Sequence, residues 1–346
     1  MHLTNLGKTR GYQRGNQRPS HRRAVLAAAA STALLVFAGV LPAQAQQDYP
    51  SRPVRVVIGF PPGQATDVLG RAVAQKLQDA LGQQFFVDNK PGAAGIIGTQ
   101  AALAAPADGY TLLATSSGPM AVNPGLYSKL PYEPLRDFTP VAGIAIVPLI
   151  LLANNNFGVA NVRDLVAMAK AKPGAINFAS GGIGVTNHLV MEMFSSTAGL
   201  KMTHVPYKGG PPALTDLIAG QVSVMFETSV AALPFIRQGR LKPLAVTTAN
   251  RIAAAPELPT VAEQGYPGFT GVPWIVLMAP ARTPPAIVAK LNAEVNRALA
   301  TKEMRDSFVA QGVETMLMSP EELGAFMKSE LDKWTLAVKA SGAKAD

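Results

Sequence analysis

The chain has 346 residues, 15% of them charged, a formal net charge of +9 and no cysteine. The missing cysteines exclude disulfides, thiolate metal sites, cysteine nucleophiles and a lipid-anchored N-terminal cysteine. Residues 1–23 hold six of the basic residues (Lys8, Arg10, Arg14, Arg18, Arg22 and Arg23) and no acid, which leaves about +3 for everything after residue 45 and removes the main electrostatic support for nucleic-acid binding.

Residues 24–40 form a short apolar stretch, and Ala43-Gln44-Ala45 supplies the small-x-small pattern of a cleaved secretory signal. Residues 1–45 therefore read as an export signal to a Gram-negative periplasm. The general secretory route is preferred to the twin-arginine route that Arg22-Arg23 would suggest. A membrane anchor fits less well, because the apolar stretch is only 17 residues and rich in alanine. The longest later apolar run, 141–153, is interrupted by Gly143 and Pro148. About 300 residues remain, enough for one large α/β unit or two ordinary lobes.

Segment 54–71, VRVVIGFPPGQATDVLGR, opens the folded part. A run rich in β-branched residues ends in a Pro/Gly turn, and a helical pattern follows at once through Leu69, Ala72, Val73, Leu77 and Ala80. Thr66 or Asp67 is the expected cap and Gly82 the stop. A strand that passes through a glycine loop into a helix presents free backbone N–H groups and the positive end of the helix dipole, which is an anion-binding device. Further units of this kind follow. Strand 85–87 leads into the loop Asn89-Lys90-Pro91-Gly92-Ala93-Ala94-Gly95, and strand 110–115 ends in Ser116-Ser117-Gly118. Strand 176–179 ends in Ser180-Gly181-Gly182-Ile183-Gly184, with Thr186 opening a helix to Gly199.

Asn161 is the expected cap of a helix that Pro173-Gly174 ends. Segments 203–206, 222–226 and 244–247 read as strands; Thr283-Pro284-Pro285 and the box Ser319-Pro320-Glu321-Glu322 read as helix starts. The alternation predicts α/β layers with mainly parallel sheets. Segments 141–153 and 273–280 are long and extended, as two crossings between lobes would be. Two crossings around one α/β block place a ligand cleft between the lobes.

These residues also resemble a family. GFPPGQATDVLGR (59–71), DNKPGAAGIIGT (88–99), YTLLATSSG (110–118), ASGGIGVTNHL (179–189), HVPYKGGPPALTDLIAGQVSVMFE (204–227) and LPTVAEQGYPGF (258–269) occur in family order. LYSKLPYEPLRDFTPVA (126–142), GRLKPLAVTTANR (239–251) and PWIVLMAPARTPPAIVAKLN (273–292) complete the set. Together they are similar to the solute-binding receptors of the tripartite tricarboxylate transporter class, the Bug (TctC-like) group. The resemblance implies a two-lobed type II periplasmic binding-protein fold with two crossover strands, lobe 1 spanning 47–147 plus 275–346 and lobe 2 spanning 148–274. It implies a monomeric receptor that closes on a small carboxylate and delivers it to membrane permease subunits, without cofactor or catalytic residue. This chain departs from the family pattern at Gln64, where a second glycine is common, and at Ala94 in the loop that commonly reads Gly-Ala-Gly-Gly.

With the resemblance in hand, the candidate ligand contacts are Phe60, Gly63, Gln64, Ala65 and Thr66 in the first loop and Gly92, Ala93 and Ala94 in the second. Ser116, Ser117, Ser180, Gly181, Gly184, Thr186, His188, Tyr207, Lys208 and Glu227 complete the set. Asp67 reads as a cap, since an acid aimed at an anion would repel it. Glu227 either pairs with a ligand ammonium or braces its loop. His188 and His204, the only histidines after residue 45, read as structural hydrogen-bonders, and Trp274 reads as hinge or cleft-wall packing. The second loop lacks G-x-G-x-x-G, so a dinucleotide site is rejected. No acid and histidine cluster has metal spacing. Two other readings share the fold: a sensing receptor with a signalling partner, and a hydrolase using Ser180 with His188, although neither serine site shows G-x-S-x-G.

Overall fold

The computed structural model describes residues 49–341 and Gly11. The export signal read from residues 1–45, with its apolar stretch and cleavage pattern, lies, Gly11 apart, outside the described residues. Among the described residues no helix is long and apolar enough to cross a membrane.

Two mixed sheets carry the chain. The first contains β1 (Val54–Ile58), β2 (Phe85–Asn89), β3 (Thr111–Ser116), β4 (Phe138–Ile146), β10 (Trp274–Pro280) and β11 (Glu314–Thr315), in the order β11-β4-β10-β3-β1-β2. The second contains β5 (Leu149–Ala153), β6 (Asn177–Ser180), β7 (Thr203–Pro206), β8 (Val224–Thr228) and β9 (Lys242–Val246), in the order β7-β6-β8-β5-β9. The apolar run 141–153 is thus two strands, β4 and β5, one in each sheet and broken at Val147-Pro148. The chain returns to the first sheet at β10. These transfers overturn the expectation of mainly parallel sheets. β5 runs antiparallel to β8 and β9, and β10 antiparallel to β3 and β4, whereas β1 with β2 and β3, and β6 with β7 and β8, are parallel. A strand that enters a sheet straight from its neighbour, with no crossover helix, need not share the direction that βαβ connections impose.

The helices follow from sequence in a local way. Ala65–Leu81 buries Leu69, Val73 and Leu77 and ends where Gly82 turns left-handed (φ 68) and donates to the Gln78 carbonyl. Asn161 caps Val162–Ala171 by accepting from the Asp164 N–H. The Ser319 hydroxyl accepts from the Glu322 N–H while Glu322 accepts from the Ser319 N–H, a reciprocal box. Two expected caps are corrected. The N-cap of the first helix is Gln64, and Asp67 lies inside the first turn, where it reaches back to accept from the Gly63 N–H (2.9 Å). Thr283 does not cap Pro285–Leu299; its hydroxyl donates to the Pro280 carbonyl and Pro284 takes the N-cap position.

Glycine has a steric purpose where the first two loops meet. A Cβ on Gly98 would lie 2.4 Å from the Gly59 Cα, and one on Gly59 would lie 2.8 Å from the Gly95 carbonyl oxygen. Both obstacles are backbone and cannot rotate away. We predict that Gly98→Ala lowers stability by about 1–3 kcal/mol through overpacking, more than the ~1 kcal/mol of helix propensity that alanine returns. The check is the urea midpoint, which should fall at unchanged slope.

Candidate functional site

The loops that end β1, β3, β6 and β8 face one another between the two sheets and enclose two adjoining cavities. The inner one, about 50 Å³, is lined from the first sheet by Gln64, Ala65, Thr66, Ser116 and Gly118, and from the second by Val185, Thr186, Asn187, Glu227 and Thr228. Val147, Leu149, Pro273 and Ile275, from the two crossings, give it an apolar floor. These crossings are tied together by a hydrogen bond from the Val147 N–H to the Pro273 carbonyl (2.8 Å). The outer cavity, about 580 Å³, is lined by Pro61, Gly92, Ala93, Ala94, Tyr127, Gly181, Tyr207, Lys208 and Gly209, among others, and shares Phe60, Gln64 and Val185 with the inner one.

Two helices start at the inner cavity, Ala65–Leu81 from one sheet and Thr186–Ala198 from the other. Neither N-cap side chain, Gln64 or Val185, bonds a first-turn amide. Their first amides therefore face the cavity with the positive ends of both dipoles. The first loop is held by Asp67, which is buried and accepts from the Gly63 N–H, from Arg71 Nε (2.8 Å) and from Asn89 Nδ2 (2.9 Å). Asn89 Nδ2 also donates to the Phe60 carbonyl. The second loop runs left-handed through Gly92, Ala93 (φ 46), Ala94 (φ 50) and Gly95, a conformation that costs roughly 1 kcal/mol or more at each alanine.

The facing loops touch across the cavities. Ser117 Oγ and Thr186 Oγ1 lie 3.2 Å apart in a buried hydrogen bond. A Cβ on Gly209 would come within 2.7 Å of Pro61, and one on Gly184 within 2.6 Å of Leu126. The structure is therefore a closed arrangement of the two faces.

Glu227, at the end of β8, is 1% exposed. Its Oε1 accepts from the Thr228 N–H (2.7 Å) and hydroxyl (3.0 Å), while its Oε2 is buried without a partner. Burial pushes the carboxyl up to about 6 against the pull of the two Thr228 bonds. Gln64 Oε1 is likewise buried and unpartnered. Among the described residues, Glu227 is the one ionisable group on the inner wall.

The remaining candidates fall outside the cavity walls or are committed elsewhere. Gly63, Ser117, Ser180, Gly184 and His188 line neither cavity. Ser180 Oγ is 2.6 Å from His204 Nε2 and also bonds both backbone groups of Gly182. His188 Nδ1 accepts from the Gly184 N–H (3.3 Å), which puts the ring proton on Nε2, toward Glu192. The two imidazoles stack with centroids 4.0 Å apart, and burial together with the neighbouring His188 pushes His204 down to about 4. Ser180 with His188, the pair a hydrolase reading needs, is not formed; both rings brace the glycine loop of β6. The Tyr207 hydroxyl donates to Asp216 Oδ2 (2.7 Å), and burial beside that acid pushes it up to about 12. Lys208 is exposed at the outer cavity.

Trp274 does not line either cavity: its ring is buried, donates from Nε1 to Glu330 Oε2 and packs edge-on against Phe326. Strand alternation turns Ile275 to the cavity instead. Asn187, Thr228, Val185 and the apolar floor were not among the sequence candidates. Asn187 directly follows the predicted helix start, and that position was its one signal.

Residues 69–343 match the family described as the tripartite tricarboxylate transporter family receptor, and the chain belongs to that family. It is 40% identical over 311 residues to protein BugT of Bordetella pertussis, covering 90% of this chain and 95% of that one. Its fold is similar to that of Rpa4515 of R. palustris, solved with adipate (TM-score 0.84, 36% identity, 86% of this chain and 100% of that one). It is also similar to MatC (Rpa3494) of Rhodopseudomonas palustris, solved with bound malate (TM-score 0.80, 32% identity, 84% and 100%). The architecture is the two-lobed α/β fold of periplasmic binding proteins.

Glu227 carries a signed pH dependence. Its carboxyl is raised in the folded chain from the ordinary 4.5 to about 6, so its stabilising contribution is complete below about pH 4.5 and is lost as pH rises through about 6. The loss is about 2 kcal/mol. Ligand-free Glu227→Gln should therefore gain on the wild type by about that amount more at pH 8 than at pH 4 in denaturant titrations. A difference that does not change with pH would contradict a buried carboxyl of this kind.

Proposed function

We propose that this family member is a periplasmic receptor that holds one small carboxylate between its two faces and delivers it to the membrane permease subunits of a tripartite transporter. The observation that carries this reading is the convergence of two helix N-termini without side-chain caps, from opposite sheets, on one cavity. An anion there receives amide hydrogen bonds from both sides, and each helix start adds roughly 0.3–2 kcal/mol. The adipate and malate seen in two related structures support a small carboxylate as the ligand class.

In this reading residues 47–147 with 275–346 form one lobe and 148–274 the other, and the tied crossings at Val147 and Pro273 are the hinge. Ligand shifts the population toward the closed arrangement because only that arrangement brings both helix starts onto the same carboxylate. The basic leader, the apolar stretch and the Ala43-Gln44-Ala45 pattern support export by a cleaved signal. The receptor acts as a single chain and turns nothing over.

The test is thermal unfolding of the chain from residue 47 onward against a panel of carboxylates, with neutral sugars and esters as controls. A ligand at about 100-fold its Kd adds roughly 2.7 kcal/mol to stability, so a saturating rise in Tm with carboxylates alone is expected. Ester hydrolysis without any carboxylate-induced shift would replace the receptor reading with an enzymatic one.

A further inference from the structure

The inner cavity contains more than an anion site. Its wall holds two buried oxygens that accept hydrogen bonds and receive none, Glu227 Oε2 and Gln64 Oε1. Leaving such atoms unpaired is costly, and of the five buried unpartnered side-chain atoms among the described residues these two are the ones that line the cavity. The surroundings do not relieve Glu227. Thr228 satisfies only the other oxygen of the carboxylate. Gly210 approaches it closely enough that any side chain there would meet Oε2 at 2.5 Å, yet the next two residues, Pro211 and Pro212, have no N–H to offer. Gln64 comes from the opposite face, where its amide nitrogen lies 3.5 Å from the position a Gly181 Cβ would take.

The two orphaned acceptors thus belong to the two facing loops, and both line the cavity onto which the helix starts converge. A ligand offering only carboxylate oxygens would satisfy the amides, leave both acceptors bare and set a second negative charge beside Glu227. We propose that the ligand is a carboxylate bearing its own hydrogen-bond donor, an ammonium or a hydroxyl, and that Glu227 and Gln64 are the residues that select for it. The inference rests on the receptor reading above and narrows its ligand class.

The experiment is calorimetric titration of the purified protein with matched sets of the same chain length. These are succinate, malate and aspartate; glutarate, 2-hydroxyglutarate and glutamate; adipate, 2-hydroxyadipate and 2-aminoadipate. At whichever length binds, a substituted member should bind about tenfold or more tightly than the unsubstituted one. Gln64→Gly, which removes one acceptor without touching the fold of the second lobe, should shrink that advantage. Glu227→Gln separates the two donors: it should erase the preference for an ammonium, keep most of a preference for a hydroxyl and tighten binding of the unsubstituted member. Should Glu227→Gln fail to fold, Gln64→Gly alone decides.

The proposal is overturned if the unsubstituted member binds as tightly as its counterparts, or if folded Gln64→Gly and Glu227→Gln both leave the preference unchanged. Failure of every carboxylate in the panel to bind would instead overturn the receptor reading, and this inference with it.

Discussion

Backbone amides at the start of the Ala65–Leu81 and Thr186–Ala198 helices need an acceptor, and neither N-cap side chain supplies one. Much of the surrounding structure serves to hold these amides in place without satisfying them. Asp67 could have capped the first helix. It lies one turn too far along and spends its oxygens on Gly63, Arg71 and Asn89, fixing the loop while its charge is shared with Arg71. On the other side, His188 and His204 brace the β6 loop through Gly184 and Ser180. The amides are therefore preorganised, and an incoming anion need not pay for ordering them.

The fold lets one anion be reached from two sheets. β4 passes directly into β5, whereas residues 247–273 separate β9 from β10, and residues of both crossings form the floor of the inner cavity. The bond from the Val147 N–H to the Pro273 carbonyl joins the two crossings. In the proposed closure, rotation about this point would move the loop faces while leaving the floor nearly still. Glycines at 184 and 209 then let the faces approach to contact distance, since a Cβ there would lie within 2.7 Å of Leu126 or Pro61 on the opposite face.

Local features of this design were legible in the sequence. The strand–glycine–helix units, the stops at Gly82 and Gly199, the cap at Asn161 and the box at Ser319 all depend on a few adjacent residues, and they stand as read. The family motifs located the loops. What could not be read depends on residues far apart in the chain. β8 extends to Thr228, past the expected end at Phe226, because the polar yet buried Glu227 and the half-buried Thr228 both pair with β5. The partner of Ser180 is His204 rather than the nearer His188, because β6 and β7 lie side by side in parallel register. That Ile275 rather than Trp274 lines the cavity depends on which face of β10 meets the C-terminal helix. Asp67 reads as a cap in the sequence, but its partners are Gly63 in the loop before it, Arg71 one turn on and Asn89 of β2.

The central claim is that a carboxylate sits where the two helix starts meet. A crystal structure of the protein with a bound carboxylate tests it most directly. The account predicts carboxylate oxygens about 3 Å from first-turn amides of both the Ala65 and the Thr186 helices. A carboxylate held instead at the outer cavity by Lys208, with the inner amides facing only water, would contradict it.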